Sequence, residues 1–251
     1  NIKTYYGDLI DKSSINKALS DFQPDLVFNL AAQSHVRLSF DMPAFTAQVN
    51  SLGALNVFES VKEVCPDARI YQASSSEMFG SSVDPDKYQR ETTPMHPVSP
   101  YGCSKLYAYS IARNYRKGYK MFISNGILFN HESPRRGTNF VTAKVIKGAL
   151  DIKYGRSDSL EMGNLDSYRD WGHSYDYTKA MIKLLEHNEP EDIVISTGEA
   201  HSVRELCDVV FNHLGLNYKD HIKINKKYLR PEELPYLQGD SSKGRKLLNW
   251  A

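Results

Sequence analysis

Four short apolar runs, at residues 26–30, 70–73, 121–129 and 193–197, alternate with stretches whose apolar residues recur at helical spacing. Ala54, Val57, Val61 and Val64 form one such stripe, and Tyr177, Met181, Leu184 and Leu185 form another. Strands separated by helix-length segments cannot be joined by tight hairpins. They enter a sheet in parallel, with the helices packed on its faces. The pattern predicts an α/β fold built on a mostly parallel sheet. Ser202-Val203-Arg204-Glu205 has the form of a capping box, which predicts a further helix with Val203, Leu206 and Val210 facing inward. Residues 81–100, rich in Pro, Asp and Ser, and residues 131–139, which include Pro134 and Gly137, are predicted as loops.

A chain of 251 residues can bury a core of ordinary size, as one large domain or two small ones. Its 31 Lys and Arg against 30 Asp and Glu leave a formal net charge of +1, with no general attraction to nucleic acid or an anionic membrane. An anionic ligand must therefore be held by local arginines and backbone amides. No apolar run approaches the ~20 residues that span a bilayer. The three cysteines, Cys65, Cys103 and Cys207, lack metal-ligand spacing and read as ordinary buried thiols. No metal site is expected, and a reducing cytoplasm is the expected compartment.

The opening residues, from Asn1 to Asp8, read as a short strand. No Gly-rich strand-to-helix turn of the form G-x-G-x-x-G or G-x-x-G-x-x-G occurs. In a doubly wound dinucleotide-binding sheet that turn follows the first, central strand. Either the fold is a different one or the sequence lacks its beginning. The motifs below decide for the second, and the natural protein is expected to begin some tens of residues earlier.

Tyr101-Gly102-Cys103-Ser104-Lys105 places a tyrosine and a lysine one above the other on a helix face. An ammonium near a phenol favours the phenolate, so Lys105 is expected to lower the Tyr101 pKa and suit it to take a proton from a hydroxyl. With 16 tyrosines in the chain, about one such pair arises by accident. Tyr175 with Lys179 is a second instance, read as structural. Context separates the two. Pro100 precedes Tyr101, as at the start of a helix. The run Ile70-Tyr71-Gln72-Ala73 leads into Ser74-Ser75-Ser76-Glu77, which puts three hydroxyls and a carboxylate at the carboxyl end of a parallel strand, where such folds bind ligands. The ordinary alternative for these serines is a turn with helix-capping hydroxyls. For Glu77 it is an exposed loop acid.

Further motifs occur in order: Asn29-Leu30-Ala31-Ala32-Gln33-Ser34-His35, Asn130-His131-Glu132-Ser133-Pro134-Arg135-Arg136-Gly137, Tyr168-Arg169-Asp170-Trp171-Gly172 and Arg230-Pro231-Glu232-Glu233. Together the set resembles the extended short-chain dehydrogenase/reductase superfamily. Within it the chain is most similar to the GDP-mannose 4,6-dehydratase family, from about residue 3 to the end. The Ser-Ser-Glu, Asn-His-Glu-Ser-Pro-Arg-Arg-Gly and Arg-Asp-Trp-Gly segments are far more specific than the Tyr–Lys spacing.

The resemblance implies a Rossmann-like doubly wound sheet, its first strands missing from this sequence, with a smaller mixed α/β substrate-binding domain. Residues 1–130 and 174–200 would form the dinucleotide-binding part, and residues 131–173 and 201–251 the sugar-nucleotide-binding part. It implies Tyr101 as proton-abstracting phenol with Lys105 as its partner on the nicotinamide ribose. Ser75 would bond the sugar 4-oxygen, and Glu77 would be the acid/base of dehydration. Asp8 and Leu9 would neighbour the adenine, and Leu30, Ala31, Ala32, Gln33 and Ser34 would line the dinucleotide. His131 and Arg136 would contact the cofactor, and Asn130, Arg169 and Arg230 the sugar nucleotide. Arginine suits a diphosphate because its planar fork donates two hydrogen bonds and stays charged. For Arg169 and Arg230 the ordinary alternative is a surface ion pair. NADP as cofactor, a GDP-linked sugar as substrate and a homodimer or homotetramer are implied by the resemblance alone, as is the Arg135–Arg136 loop lying near a subunit interface.

Two positions depart from the family pattern. Phe45 stands where tyrosine is common, and Ala143 where arginine is common, so a related substrate such as a GDP-linked mannoheptose stays open. So does an epimerase or reductase of the same superfamily, which would keep Tyr101 and Lys105 but has no need of Glu77. A non-catalytic cofactor-binding protein is the reading from another class.

Overall fold

The computed structural model describes residues 2–250. The strands are β1 (Leu26–Asn29), β2 (Arg69–Ser75), β3 (Ile123–Leu128), β4 (Asn130–Glu132), β5 (Leu160–Met162), β6 (Tyr168–His173), β7 (Asp192–Ile195), β8 (Ala200–Ser202), β9 (Ile222–Ile224) and β10 (Tyr236–Leu237). The α-helices are α1 (Lys12–Phe22), α2 (Val36–Asp41), α3 (Pro43–Ala47), α4 (Gly53–Val64), α5 (Pro100–Tyr119), α6 (Val141–Lys153), α7 (Ser174–Glu186), α8 (Val203–His213), α9 (Tyr218–His221) and α10 (Ser242–Leu248).

The main sheet has the order β1-β2-β3-β7, and every pair in it is parallel. Strands covered on both faces should read as continuous apolar runs, and β3 and β7 are buried along their whole length. Alternation divides their side chains between two cores. Ile70 and Ile123 pack with Phe58 and Val61 of α4 and with Ala108 and Ala112 of α5. Tyr71, Ala73, Ile193 and Ile195 pack on the opposite face with Ala180, Met181 and Leu184 of α7 and Leu248 of α10. Helices on both faces of a parallel sheet make the expected doubly wound, Rossmann-like arrangement. All four apolar runs became strands: β1 and β3 lie within their runs, β2 extends beyond its run at both ends, and β7 begins one residue before its run and stops two residues short.

A second sheet runs β10-β6-β4, with β8 antiparallel on β6. β5 and β9 form a separate parallel pair. Val145 and Ala149 of α6, Phe211 and Cys207 of α8, and Met162 and Leu165 close a further core. The capping box formed as read: Ser202 accepts from the Glu205 amide at 3.1 Å, and Glu205 accepts from the Ser202 amide at 2.7 Å.

The structure corrects four readings. Residues 2–8 form no strand: no strand among the described residues lies beside them, and their largely exposed backbone is left to solvent. His131 and Glu132, read as loop, lie in β4, where pairing with Gly172 and His173 orders them. Cys103 is exposed: it lies between the buried Gly102 and Ser104 on α5, and one helical step turns it outward. The α10 helix, grouped by the sequence with the smaller part, packs on β7 and α7 of the main sheet. No helix among the described residues is long and apolar enough to cross a membrane.

Candidate active site

At the carboxyl end of β2 the chain leaves the sheet through a single 3-10 turn, Ser76–Phe79. The Ser75 hydroxyl starts it by accepting from the Glu77 amide at 3.2 Å, so the capping role expected of these serines is realised. Gly80 ends it at φ +59°, where an added Cβ would lie 1.7 Å from the His96 carbonyl oxygen; no other residue fits. Glu77 is thereby turned inward and is buried, not an exposed loop acid. The α5 helix begins beside this turn. Ser99 caps it by accepting from the Gly102 amide at 3.0 Å, and Pro100 occupies its first turn. Gly102 permits the close approach, since a Cβ there would come 2.8 Å from the Glu77 carbonyl oxygen. Thus Ser75, Glu77, Tyr101 and Lys105, far apart in sequence as two pairs, meet at one end of the sheet.

The electrostatics differ from expectation at Tyr101. Its pKa is pushed up to about 12, chiefly by burial and further by the Glu77 charge, against a lowering hydrogen bond with Ser75. Lys105 does not lower it. Its ammonium donates to the Ala73 carbonyl oxygen at 2.9 Å and lies 5.9 Å from the centre of the Tyr101 ring. Burial pushes Lys105 itself down to about 8. The second pair is a surface feature, as read. Tyr175 is exposed, and Lys179 lies over its ring while pairing with Asp176 at 3.2 Å.

Arg230 reaches this cluster from the segment before β10. Its Nη1 donates to Glu77 Oε1 at 3.1 Å and lies 3.4 Å from Glu233 Oε1. The other Glu77 oxygen, Oε2, is buried without a hydrogen-bond partner. Arg169 lies behind: its Nη1 donates to the carbonyl oxygens of Tyr168 and Leu234, each at 2.8 Å, and its Nη2 to Glu233 Oε1 at 3.0 Å. Neither arginine is a surface ion pair. A cleft of about 660 Å³ opens beside Arg230 and Glu233, lined also by Asn164, Asp166, Arg204 and Tyr218.

Asn130 and His131 stand at the start of β4, one residue past β3. His131 Nδ1 faces the Phe129 carbonyl oxygen at 2.9 Å, which makes Nδ1 the donor and leaves Nε2 to accept. Burial lowers its pKa, so the ring is neutral, and it stacks on Tyr177 at 4.9 Å. Arg136 lies 3.6 Å above the Phe140 ring and 3.0 Å from Glu132. Leu30, Ala31, Ala32, Gln33 and Ser34 follow β1 at the same end of the sheet. Asp8 and Leu9 lie near the start of α4, where Asn56 donates to the Leu9 carbonyl oxygen at 2.8 Å.

One group escaped the sequence reading. A single π-helical turn, Gln48–Leu52, joins α3 to α4 and carries Asn50 inward. The Asn50 carboxamide accepts from the Gln33 amide at 2.8 Å and donates to the Gln33 carbonyl oxygen at 3.0 Å and to Ser104 Oγ at 3.0 Å. It ties the segment after β1 to the Tyr101–Lys105 helix. The only sequence signal was a polar residue preceding the apolar stripe of α4.

The chain matches the model of the GDP-mannose 4,6 dehydratase family over residues 1–251. GDP-mannose 4,6 dehydratase 1 of Arabidopsis thaliana is 49% identical over 253 residues, covering 99% of this chain and 69% of the relative. The Homo sapiens GDP-mannose 4,6 dehydratase is 44% identical over 269 residues, covering 100% of this chain and 72% of the relative. Among solved structures, RMD from Pseudomonas aeruginosa complexed with NADPH superposes with a TM-score of 0.88 at 25% identity, covering 100% of this chain and 83% of that one. The fold, the order of motifs and the extent of these matches show that the chain belongs to the GDP-mannose 4,6 dehydratase family.

Proposed function

We propose that the chain dehydrates GDP-mannose to GDP-4-dehydro-6-deoxy-mannose through a bound nicotinamide cofactor, NADP, which ends each turnover oxidised. The observation that carries this reading is Glu77: a buried carboxylate with one unpartnered oxygen, beside the Tyr101 phenol. An epimerase or reductase using Tyr101 and Lys105 has no task for such a group.

The residues fit the cofactor. Lys105 uses one of its three donors on Ala73 and keeps two buried N–H groups for ribose hydroxyls. Neutral His131 keeps Nε2 as an acceptor, and Arg136 offers a charge nearby. Leu30 to Ser34 line the dinucleotide in this reading, with Asp8 and Leu9 on the adenine side. A bound oxidised nicotinamide would supply a reversible hydride acceptor for the sugar carbons.

Tyr101, whose ionisation the positive charge of an oxidised nicotinamide would favour once bound, takes the 4-hydroxyl proton as phenolate while Ser75 bonds the 4-oxygen. The 4-ketone so formed acidifies the C5 proton, which the free oxygen of Glu77 removes. The resulting carboxylic acid protonates the departing 6-hydroxyl, which leaves as water. Tyr101 then gives its proton to C5. Arg230, aided by Asn130 and by Arg169 behind it, binds the sugar nucleotide, and the 660 Å³ cleft receives its nucleoside end. In this reading the main sheet serves the dinucleotide and residues 131–173 and 201–240 the sugar nucleotide. A homodimer or homotetramer in the cytoplasm belongs to the same proposal, and sedimentation as a monomer at micromolar concentration would remove its oligomer part.

The test is incubation with NADP and GDP-mannose, followed by mass spectrometry of the nucleotide sugar. Loss of one water with the wild-type protein, and not with Glu77→Gln, is the expected result. An unchanged GDP-mannose mass with wild type would sink the assignment.

A further inference from the structure

The ion pair between Glu77 and Arg230 links residues 153 positions apart and joins two groups with different tasks in the proposed reaction. A carboxylate held through one oxygen by a guanidinium is not free to turn that oxygen toward a substrate, and the guanidinium is not free to grip a diphosphate. We infer that Arg230 is a substrate-operated restraint on Glu77: it pairs with the carboxylate in the free protein and moves to the diphosphate when a GDP-sugar binds, freeing Glu77 to act as base. The inference rests on the GDP-sugar reading given above.

Three features of the cluster support the transfer. Arg230 is the movable arginine. Arg169 has both Nη1 hydrogens on carbonyl oxygens and one Nη2 hydrogen on Glu233, so it is fixed in place. Arg230 has only carboxylate contacts, to Glu77 and Glu233, and its guanidinium lines the open cleft. The charges also favour the transfer. The two arginines and two carboxylates sum to zero, so within this cluster a diphosphate gains attraction when a guanidinium turns from a carboxylate toward it. Glu77 and Glu233 together leave Arg230 short of the bidentate fork that a diphosphate offers. Lastly, Glu77 does not need Arg230 for its position. The Ser75 hydroxyl and the 3-10 turn fix its backbone, and Gly80 fixes the end of that turn.

The charged and titratable groups facing Glu77 are Tyr101 from α5, Arg169 from β6 and Arg230 and Glu233 from the segment before β10. Arg136 acts on Tyr101, and His35 at the start of α2 lies within the field of Arg230. Once Arg230 leaves, both Glu77 oxygens are open to the sugar, and Arg169 stays paired with Glu233 at 3.0 Å.

The experiment measures GDP binding by calorimetry for wild type, Glu77→Gln, Arg230→Met and the double variant, with circular dichroism reporting the fold. Neutralising the carboxylate releases Arg230, so Glu77→Gln is expected to bind GDP roughly 3-fold or more tightly than wild type. In the Arg230→Met background Glu77→Gln is expected to leave GDP affinity unchanged, because no guanidinium is there to release. If GDP binds and Glu77→Gln keeps the wild-type affinity, or tightens binding equally in both backgrounds, the inference is overturned while the GDP-sugar reading stands. Absence of GDP binding to wild type removes both.

Discussion

Lys105 is a buried cation of the site with no carboxylate partner among its hydrogen bonds, and its burial has a measurable cost. Its pKa is pushed down to about 8 in the folded chain, from an ordinary 10.5. Below pH 8 both folded and unfolded forms carry the proton, and the cost of burying the charge is fully present. Between pH 8 and 10.5 the folded form loses its proton first, so the unfolded state binds more protons and stability rises with pH. The expected gain across that window is on the order of 3 kcal/mol. In Lys105→Met this rise should vanish. The check is the difference between wild-type and variant urea unfolding free energies at pH 7.5, 9 and 10.5. A constant difference would show that the ammonium is not desolvated. At the same scale, Glu77→Gln keeps the side-chain volume and can still accept from Arg230, yet cannot take a proton. Turnover of GDP-mannose should fall by roughly 10²–10⁴-fold, with the thermal midpoint nearly unchanged. Retained turnover in a folded Glu77→Gln protein would remove Glu77 from the chemistry.

Elements explain which parts of the site were legible beforehand. Tyr101 and Lys105 are one helical turn apart, and Ser75 and Glu77 share one strand-to-turn exit, so local spacing alone placed each pair. The pKa of Tyr101 was misjudged because it depends on what surrounds α5, and burial outweighs a lysine whose ammonium points to Ala73. The Arg230–Glu77 pair and the role of Glu233 require the segment before β10 to fold back over β2, which no local period encodes. Asn50 was missed for a related reason. A π-turn within a helix shifts the face on which a residue lies, so reading the stripe of α4 backwards at 3.6 residues per turn does not place Asn50. Its carboxamide bonds make it a clasp between the segment lining the proposed cofactor site and α5. Asn50→Ala removes the partners of the half-buried Gln33 amide and carbonyl and of the Ser104 hydroxyl, and should cost about 1 kcal/mol or more. Because the clasp shapes residues 31–34, NADP affinity should weaken as well, while GDP affinity on the far side stays as it was. Calorimetry with each nucleotide separates the two. Equal weakening of both would mean general loosening of the fold.

At the scale of the whole molecule, one strand joins the main sheet to the sugar-nucleotide side. Successive residues of β6 face opposite ways, and the sequence places Arg169 and Asp170 there. Arg169 holds Glu233, which contacts Arg230 in the substrate cluster. Asp170 is fully buried and faces the end of the main sheet. It accepts from the Thr197 amide at 2.9 Å, the Thr197 hydroxyl at 2.7 Å, the Gly198 amide at 2.9 Å and the Gly239 amide at 3.3 Å. These donors lie just beyond β7 and just before α10, so one carboxylate stitches β6 to both. Burial raises the Asp170 pKa and the four donors oppose that rise, which keeps an otherwise costly charge acceptable. Asp170→Asn preserves the shape but replaces one acceptor oxygen with an N–H₂ group facing donors. Hydrogen bonds to a charged acceptor contribute about 1.5–3 kcal/mol each, so the variant should lose roughly 3–5 kcal/mol, seen as a lowered urea midpoint. Thr197→Val removes the hydroxyl bond to Asp170 and the exposed contact with the Glu199 amide, keeps the backbone bond to Asp170, and should lose about 1–2 kcal/mol. The stitch also predicts a functional effect where no substrate atom is touched. With β6 loosened, Arg169 and Glu233 lose their register, and KM for GDP-mannose should rise in Asp170→Asn measured well below its unfolding temperature. If the variant is destabilised but its KM is that of wild type, Asp170 supports the fold alone, and the site owes its geometry to the segment before β10.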